Sequence, residues 1–288
     1  MITYNPELIK VPAFLTKFID LEELSVIKKI NLIIKGKIIA YSLRNLSELG
    51  ICRVLNWILK FEGEITYEDK LYVKNYNGSK IYYPNIRFTR ILIHQEEFLN
   101  HLFDSYLLDN ISFKDGDYIV DCGSNVGELS LAFEQKGFKV DYLGIEPEPN
   151  AYKCLEKNTN SSNLNICLSN HESRIPFYVD SVGANSSAIR PDTSNSTIDI
   201  TAKRLDQITD SKKIKLLKID AEGAEPEVLL GCKGVIQNIE YISVDCGAER
   251  GQGQETTFVE VIKIMSKYDF EIVDINQRRL ITLFKNKK

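Results

Sequence analysis

Tyr118-Ile-Val-Asp-Cys-Gly-Ser-Asn-Val-Gly127 decides how the chain folds: a short strand of buried character ends in an acid and runs into a glycine-rich turn that opens a helix. Gly123 lets the chain turn sharply, and Gly127 lets the coming helix pack close to the strand. The first N–H groups of that helix then face a ligand. The dinucleotide fingerprint is not met, because Asn125 stands where its middle glycine would be and the third glycine is missing. A nucleotide-like cofactor without a pyrophosphate fits this turn better.

Outward from the turn, the ribose of an adenosine needs a carboxylate at the tip of the neighbouring strand to accept from its hydroxyls. Lys139-Val-Asp-Tyr-Leu-Gly-Ile-Glu146 supplies one, and Glu146 follows Asp121 at close to the roughly 20-residue spacing of a ribose-binding acid. Pro147 and Pro149 stop the strand and start a helix. The run Asn163-Leu-Asn-Ile-Cys-Leu-Ser169 reads as a third strand that ends beside the adenine. Further on, strands are predicted near 214–220, 239–245, 269–275 and 280–285, with helices at 126–136, 149–159, 225–232 and 256–268. Strands alternating with helices predict an α/β fold: a doubly wound, mostly parallel seven-stranded sheet, with the closing pair antiparallel at its edge.

Three stretches belong together within about residues 111 to 285: Asp121-Cys-Gly-Ser-Asn-Val-Gly-Glu128, Gly144-Ile-Glu-Pro-Glu-Pro-Asn-Ala-Tyr152, and Leu217-Lys-Ile-Asp-Ala-Glu-Gly-Ala-Glu225 followed by Val228-Leu-Leu-Gly231. In these the chain resembles the FkbM-type S-adenosylmethionine (SAM)-dependent methyltransferases. The resemblance implies a class I, Rossmann-like methyltransferase that uses SAM to methylate a hydroxyl, commonly on a sugar or a glycosylated product. For the cofactor, Asp121 and Gly123 are assigned to the methionine end, Asn125 and Gly127 to the turn, Glu146 to the ribose and Ser169 to the adenine side. Two other readings stay open at this point: a nicotinamide-dependent oxidoreductase, and a non-catalytic adenosine-binding or scaffold module.

Methyl transfer from a sulfonium is an in-line displacement, so holding donor and acceptor in line removes much of the barrier. The acceptor hydroxyl still has to lose its proton to a base or be acidified by a metal. Asp220 ends the fourth core strand, where open α/β sheets bind ligands, and is the acid expected nearest the methyl group; Glu222 would orient substrate or cofactor. The alternative is that Asp220 caps the helix near Glu225 and that Glu222 favours its positive end. Asp245 ends the fifth strand, and Glu249 and Arg250 extend that tip toward the acceptor or form a surface charge pair. If Asp220, Glu222 and Asp245 converge, they can hold Mg²⁺ or Mn²⁺. The polar, turn-rich segment 181–196 reads either as a solvated loop or as a substrate-contacting one through Ser186, Ser187 and Arg190.

The remaining 110 residues at the front carry helical apolar spacing in Phe14, Phe18, Leu21 and Leu24, and again from Leu46 to Ile58. Alternation then flanks the hairpin signal Asn77-Gly78. Residues 1–110 are therefore predicted as a helical and hairpin extension serving as a cap or a homodimer face, and 111–288 as the methyltransferase domain. A net charge of −4 argues against a nucleic-acid partner. The six cysteines show no paired metal-ligand spacing and several sit in apolar strands, which fits reduced thiols. His94 and His101 share a helical face suited to packing, and His171 stands outside the core motifs. With no uncharged stretch of roughly 20 residues and no signal-like start, a cytoplasmic protein without a membrane span is expected.

Overall fold

In the computed structural model, which describes residues 11–59, 63–76, 78–180, 186–191, 196–209 and 212–288, the chain divides into two units, Met1–Phe98 and Leu99–Lys288. The first carries α1 (Val26–Asn45), α2 (Glu48–Ile58) and an antiparallel sheet of β1 (Glu64–Glu68), β2 (Leu71–Tyr76) and β3 (Ser79–Tyr83) in that order. Ser25 and Ser47 start the two helices, each hydroxyl accepting a backbone N–H three residues on. Asn56 ties α2 to the sheet, its amide bonding both the N–H and the carbonyl of Ile65 at 2.9 and 2.8 Å. The hairpin strands pair with Tyr76 opposite Ser79; Asn77 lies outside the described residues.

The helical spacing of Phe14 to Leu24 does not become an α-helix. Ala13–Leu15 forms a single 3-10 turn, and farther on the Asp20 side chain accepts the Glu22 N–H at 2.9 Å, a local bond that competes with helix formation. Leu46 and Leu49, expected to pack, are exposed.

After α3 (Gln95–Ser105), the second unit builds β4 (Tyr118–Cys122), α4 (Glu128–Gln135), β5 (Asp141–Ile145), α5 (Pro149–Asn158) and β6 (Ser162–Leu164). A side excursion follows, β7 (Cys167–Leu168), β8 (Ser173–Val179) and β9 (Ser196–Lys203). The chain then returns with β10 (Ile214–Ile219), α6 (Glu225–Leu230), β11 (Ile239–Asp245), β12 (Ala248–Arg250), β13 (Glu255–Thr256), α7 (Phe258–Met265), β14 (Phe270–Asn276) and β15 (Ile281–Asn286). The main sheet is seven-stranded and ordered β14-β15-β11-β10-β4-β5-β6. Ile119, Val120, Leu143, Ile145, Leu217, Ile219, Ile242 and Val244 are all buried in it, as parallel strands covered on both faces require.

Only β15 runs against the rest: it inserts between β11 and β14 and is antiparallel to both, so the closing pair lies at the sheet edge as predicted, with β15 alone reversed. The third strand is shorter than predicted, ending at Leu164. Cys167–Leu168 joins β9 in a separate three-stranded sheet with β8. That sheet was readable in the alternation of Ile175, Phe177 and Val179 against Ile198, Ile200 and Ala202, with Phe177, Val179 and Ile200 packing on Cys167. The strand order reverses between β4 and β10, so their carboxyl ends flank the crevice where such sheets bind ligands.

Candidate active site

At the tip of β4 the chain leaves through Gly123, whose φ is 75°. It passes so close to β10 that a Cβ there would lie 1.9 Å from the carbonyl oxygen of Asp220, which only glycine permits. Asn125 and Gly127, also at positive φ, complete the turn. The close neighbour of Gly127 is the end of α5 and not a strand: an added Cβ would meet Thr159 Cγ2 at 2.8 Å.

Glu146 is buried and holds this turn, one oxygen accepting the Asn125 N–H at 2.7 Å and the other the Glu148 N–H at 2.8 Å. Each carboxylate oxygen keeps further acceptor capacity for a hydroxyl. Burial pushes the Glu146 carboxyl up to about 7, against the two N–H groups that favour its charge. Capping of α5 falls to Glu148, which accepts from Asn150 and Ala151. Past the tip of β6, Asn165 donates to the carbonyls of Glu146 and Pro147 at 2.8 and 3.0 Å. Ser169, expected at that tip, ends β7 in the small sheet, with its N–H on the Lys203 carbonyl.

Between the two halves of the crevice stands Lys218, 3% exposed, which sequence reasoning did not single out as a site residue although it lies inside the Leu217–Glu225 block. Its ammonium is 3.0 Å from Asp121 Oδ1 and 4.0 Å from Asp220 Oδ2, and it donates to the carbonyls of Gly123 and Cys122 at 2.8 and 3.2 Å. Burial works against its charge, but Asp121, Tyr106 and Asp220 outweigh that and hold its pKa well above the usual lysine value. Asp121 also accepts the Tyr142 hydroxyl at 2.5 Å. The alternating signal was present in sequence as a charge inside an apolar strand, Leu216-Leu217-Lys218-Ile219, which demands a partner when buried.

Asp220 accepts the hydroxyl of buried Tyr106, a residue from the chain just after α3 that carries no local sequence signal. Lys218 and Arg279 lie over the Tyr106 ring at 5.1 and 5.5 Å. Burial and the Asp220 charge keep its phenol protonated well beyond the ordinary range. Asp220 does not cap α6, whose N-cap is Ala224 with no side-chain bond. The turn between them is braced by buried Glu225, which accepts the N–H groups of Ala221 and Gly223 at 3.1 and 2.9 Å and the Thr257 hydroxyl at 2.9 Å.

That brace holds Glu222 at φ 50°, a left-handed conformation that costs a non-glycine residue roughly 1–2 kcal/mol. Its carboxyl meets Asp220 and Glu249, with one oxygen from each within 4.8 Å of the others. This set of hard oxygen donors can hold a divalent cation. Asp245, the third acid expected there, is instead engaged by Arg279 and the Gly247 N–H. Burial first, then neighbouring carboxylates, push Glu222 up to about 10 and Glu249 to about 8. Burial and Asp220 raise Asp245 to about 6, with Arg279 opposing.

The other predicted contact residues divide. Ser187 is buried and donates to the Glu222 carbonyl at 2.7 Å, pinning the neighbouring segment to the acidic turn. Ser186 accepts the Asp180 N–H at 2.9 Å. Arg190 is exposed and lies 6.0 Å from the Tyr178 ring. Arg250 forms a two-point pair with Glu227 at 2.9 and 2.7 Å and donates to the Gly223 carbonyl, so it fixes the turn from outside. Residues 181–185 and 192–195 of the predicted loop lie outside the described residues. His94 packs edge-on against Phe18, and all six cysteines are buried free thiols.

The sequence profile of the methyltransferase FkbM domain matches residues 121–272. Methyltransferase 1 of Beauveria bassiana is 27% identical over 169 residues, 48% of this chain and 66% of that protein. Hexuronic acid methyltransferase AglP of Haloferax volcanii is 24% identical over 170 residues, 57% of this chain and 68% of that protein. The solved structure of magnesium protoporphyrin IX methyltransferase from Synechocystis PCC 6803 with bound SAM is 11% identical with a TM-score of 0.39, over 67% of this chain and 80% of that one.

Proposed function

The chain belongs to the FkbM methyltransferase domain family, and from that premise we propose that it transfers the methyl group of SAM to a hydroxyl of a sugar or glycosylated metabolite. The observation that carries this is the split of one crevice into two differently equipped halves. On the β4 and β5 side, Gly123, Asn125 and Glu146 form a turn whose carboxylate accepts from backbone N–H groups while retaining capacity for ribose hydroxyls. On the β10 side stand Asp220 and the acids around it.

Held by Glu146 and the Gly123–Asn125 turn, SAM would supply an activated methyl group to the acceptor oxygen, with S-adenosylhomocysteine as the leaving group. The hydroxyl proton passes to Asp220, which is held by Tyr106 and Lys218. The AglP relative is named for hexuronic acid, and a uronic acid offers a carboxylate as well as hydroxyls. The packed acids of Asp220, Glu222 and Glu249 disfavour a second anion and supply a proton acceptor, which favours the hydroxyl.

The test is incubation of the full chain with SAM and a panel of neutral and uronic sugars, free and glycosidic, read by S-adenosylhomocysteine release and by product mass. A methyl ether is the expected product. A methyl ester, or a protein whose melting temperature responds to NAD and not to SAM, would overturn the assignment.

A further inference from the structure

α1 is apolar on two faces. Gly36 and Ile39 are buried. Roughly opposite them, Ile27, Ile30, Ile34, Ile38 and Tyr41 recur at intervals of three and four and are exposed by 80%, 52%, 54%, 40% and 65%. A contiguous apolar stripe facing water marks an interaction surface. Every charged residue within Val26–Asn45 is basic: Lys28, Lys29, Lys35, Lys37 and Arg44, in a chain whose net charge is −4. At 100° per residue Lys37 and Arg44 flank one side of the stripe, and Lys28 and Lys35 the other.

We infer that this stripe docks on an anionic membrane surface, with α1 lying in the interface plane, its isoleucines in the acyl boundary and its lysines among the headgroups. Charge decides against a second copy of the chain. Two such helices face to face would oppose two wholly basic sets with no acidic side chain on either. The helix lies on the surface and does not cross it, since five basic groups interrupt it, and among the described residues no helix is long and apolar enough to span a membrane. α2 also exposes apolar side chains, Leu49 and Trp57, in line with Arg53 at four-residue intervals, though it carries one acid, Glu48; tryptophan suits the headgroup level.

Flotation of the full chain with vesicles of phosphatidylcholine plus phosphatidylserine, against phosphatidylcholine alone, tests this. The protein should float with the anionic vesicles only, and less so as salt rises. The double variant Ile27→Glu/Ile34→Glu should lose the binding, and Lys28→Ala/Lys37→Ala should weaken it by roughly 25-fold, about fivefold for each basic group. Because these side chains are exposed, circular dichroism and melting temperature should match the unaltered chain. Recovery with both vesicle types or with neither overturns the inference, as does binding indifferent to Ile27→Glu/Ile34→Glu. So does a concentration-dependent dimer in sedimentation that this variant disperses, which would give the stripe to a second copy.

Discussion

Carboxylates crowd both lips of the crevice, yet they are treated in opposite ways. At the tips of β4 and β5, Asp121 is matched to Lys218 and Tyr142, and Glu146 to two backbone N–H groups. Around the tips of β10 and β11, Glu222 and Glu249 meet other acids, and the cations nearby, Lys218 and Arg279, are committed to Asp121, Asp220 and Asp245. Under the proposed function the first lip is the binding surface, and its carboxylates are already fixed by partners within the chain. The second concentrates charge that only a proton, a cation or a reacting group relieves, which is how a fold sets aside groups for chemistry.

That contrast breaks first at Asp220. Asp220→Asn should lower methyl transfer by about 10²–10⁴-fold while leaving SAM affinity within about twofold, because a proton acceptor is removed and the cofactor lip is untouched. Initial rates and calorimetry of the same variant decide it; equal losses in both would merge the two lips into one binding unit.

Next in size is Lys218→Met, which leaves Asp121 buried without its cation and should cost about 3–5 kcal/mol in urea unfolding. A loss under about 1 kcal/mol would show that Tyr142 alone suffices for Asp121.

Glu146→Ala should weaken SAM by about 2 kcal/mol, since a charged acceptor of ribose hydroxyls and the anchor of the Asn125 N–H are both lost. Unchanged calorimetric affinity would remove Glu146 from the cofactor lip.

A last test sharpens the contrast through pH. Glu222 titrates near its ordinary value of 4.5 when unfolded and at about 10 when folded, so the native state keeps a proton that the unfolded state releases. Its contribution is complete below 4.5 and is lost as pH climbs toward 10, with a slope of at most about 1.4 kcal/mol per pH unit. Glu222→Gln should flatten the fall in stability between pH 5 and 8, measured by chemical unfolding; an unchanged slope would assign the effect to Glu249 or Glu225.

Local chemistry made much of this legible from residues alone. The acid-tipped apolar strand before Gly123, the Pro147 and Pro149 punctuation, and the period shifts that place β10, β11 and α7 all act over a few residues. The strands and helices of the main sheet stand close to where those signals put them. What tertiary structure alone decided involves partners far apart in the chain. Tyr106 reaches Asp220 across 114 positions. Arg279 takes Asp245 away from the acidic group and leaves Glu249 in its place. β15 slides between β11 and β14. Side-chain period and turn chemistry are properties of neighbours in sequence, whereas the pairing of a buried charge depends on which strands lie side by side, and that is set only when the whole sheet has assembled.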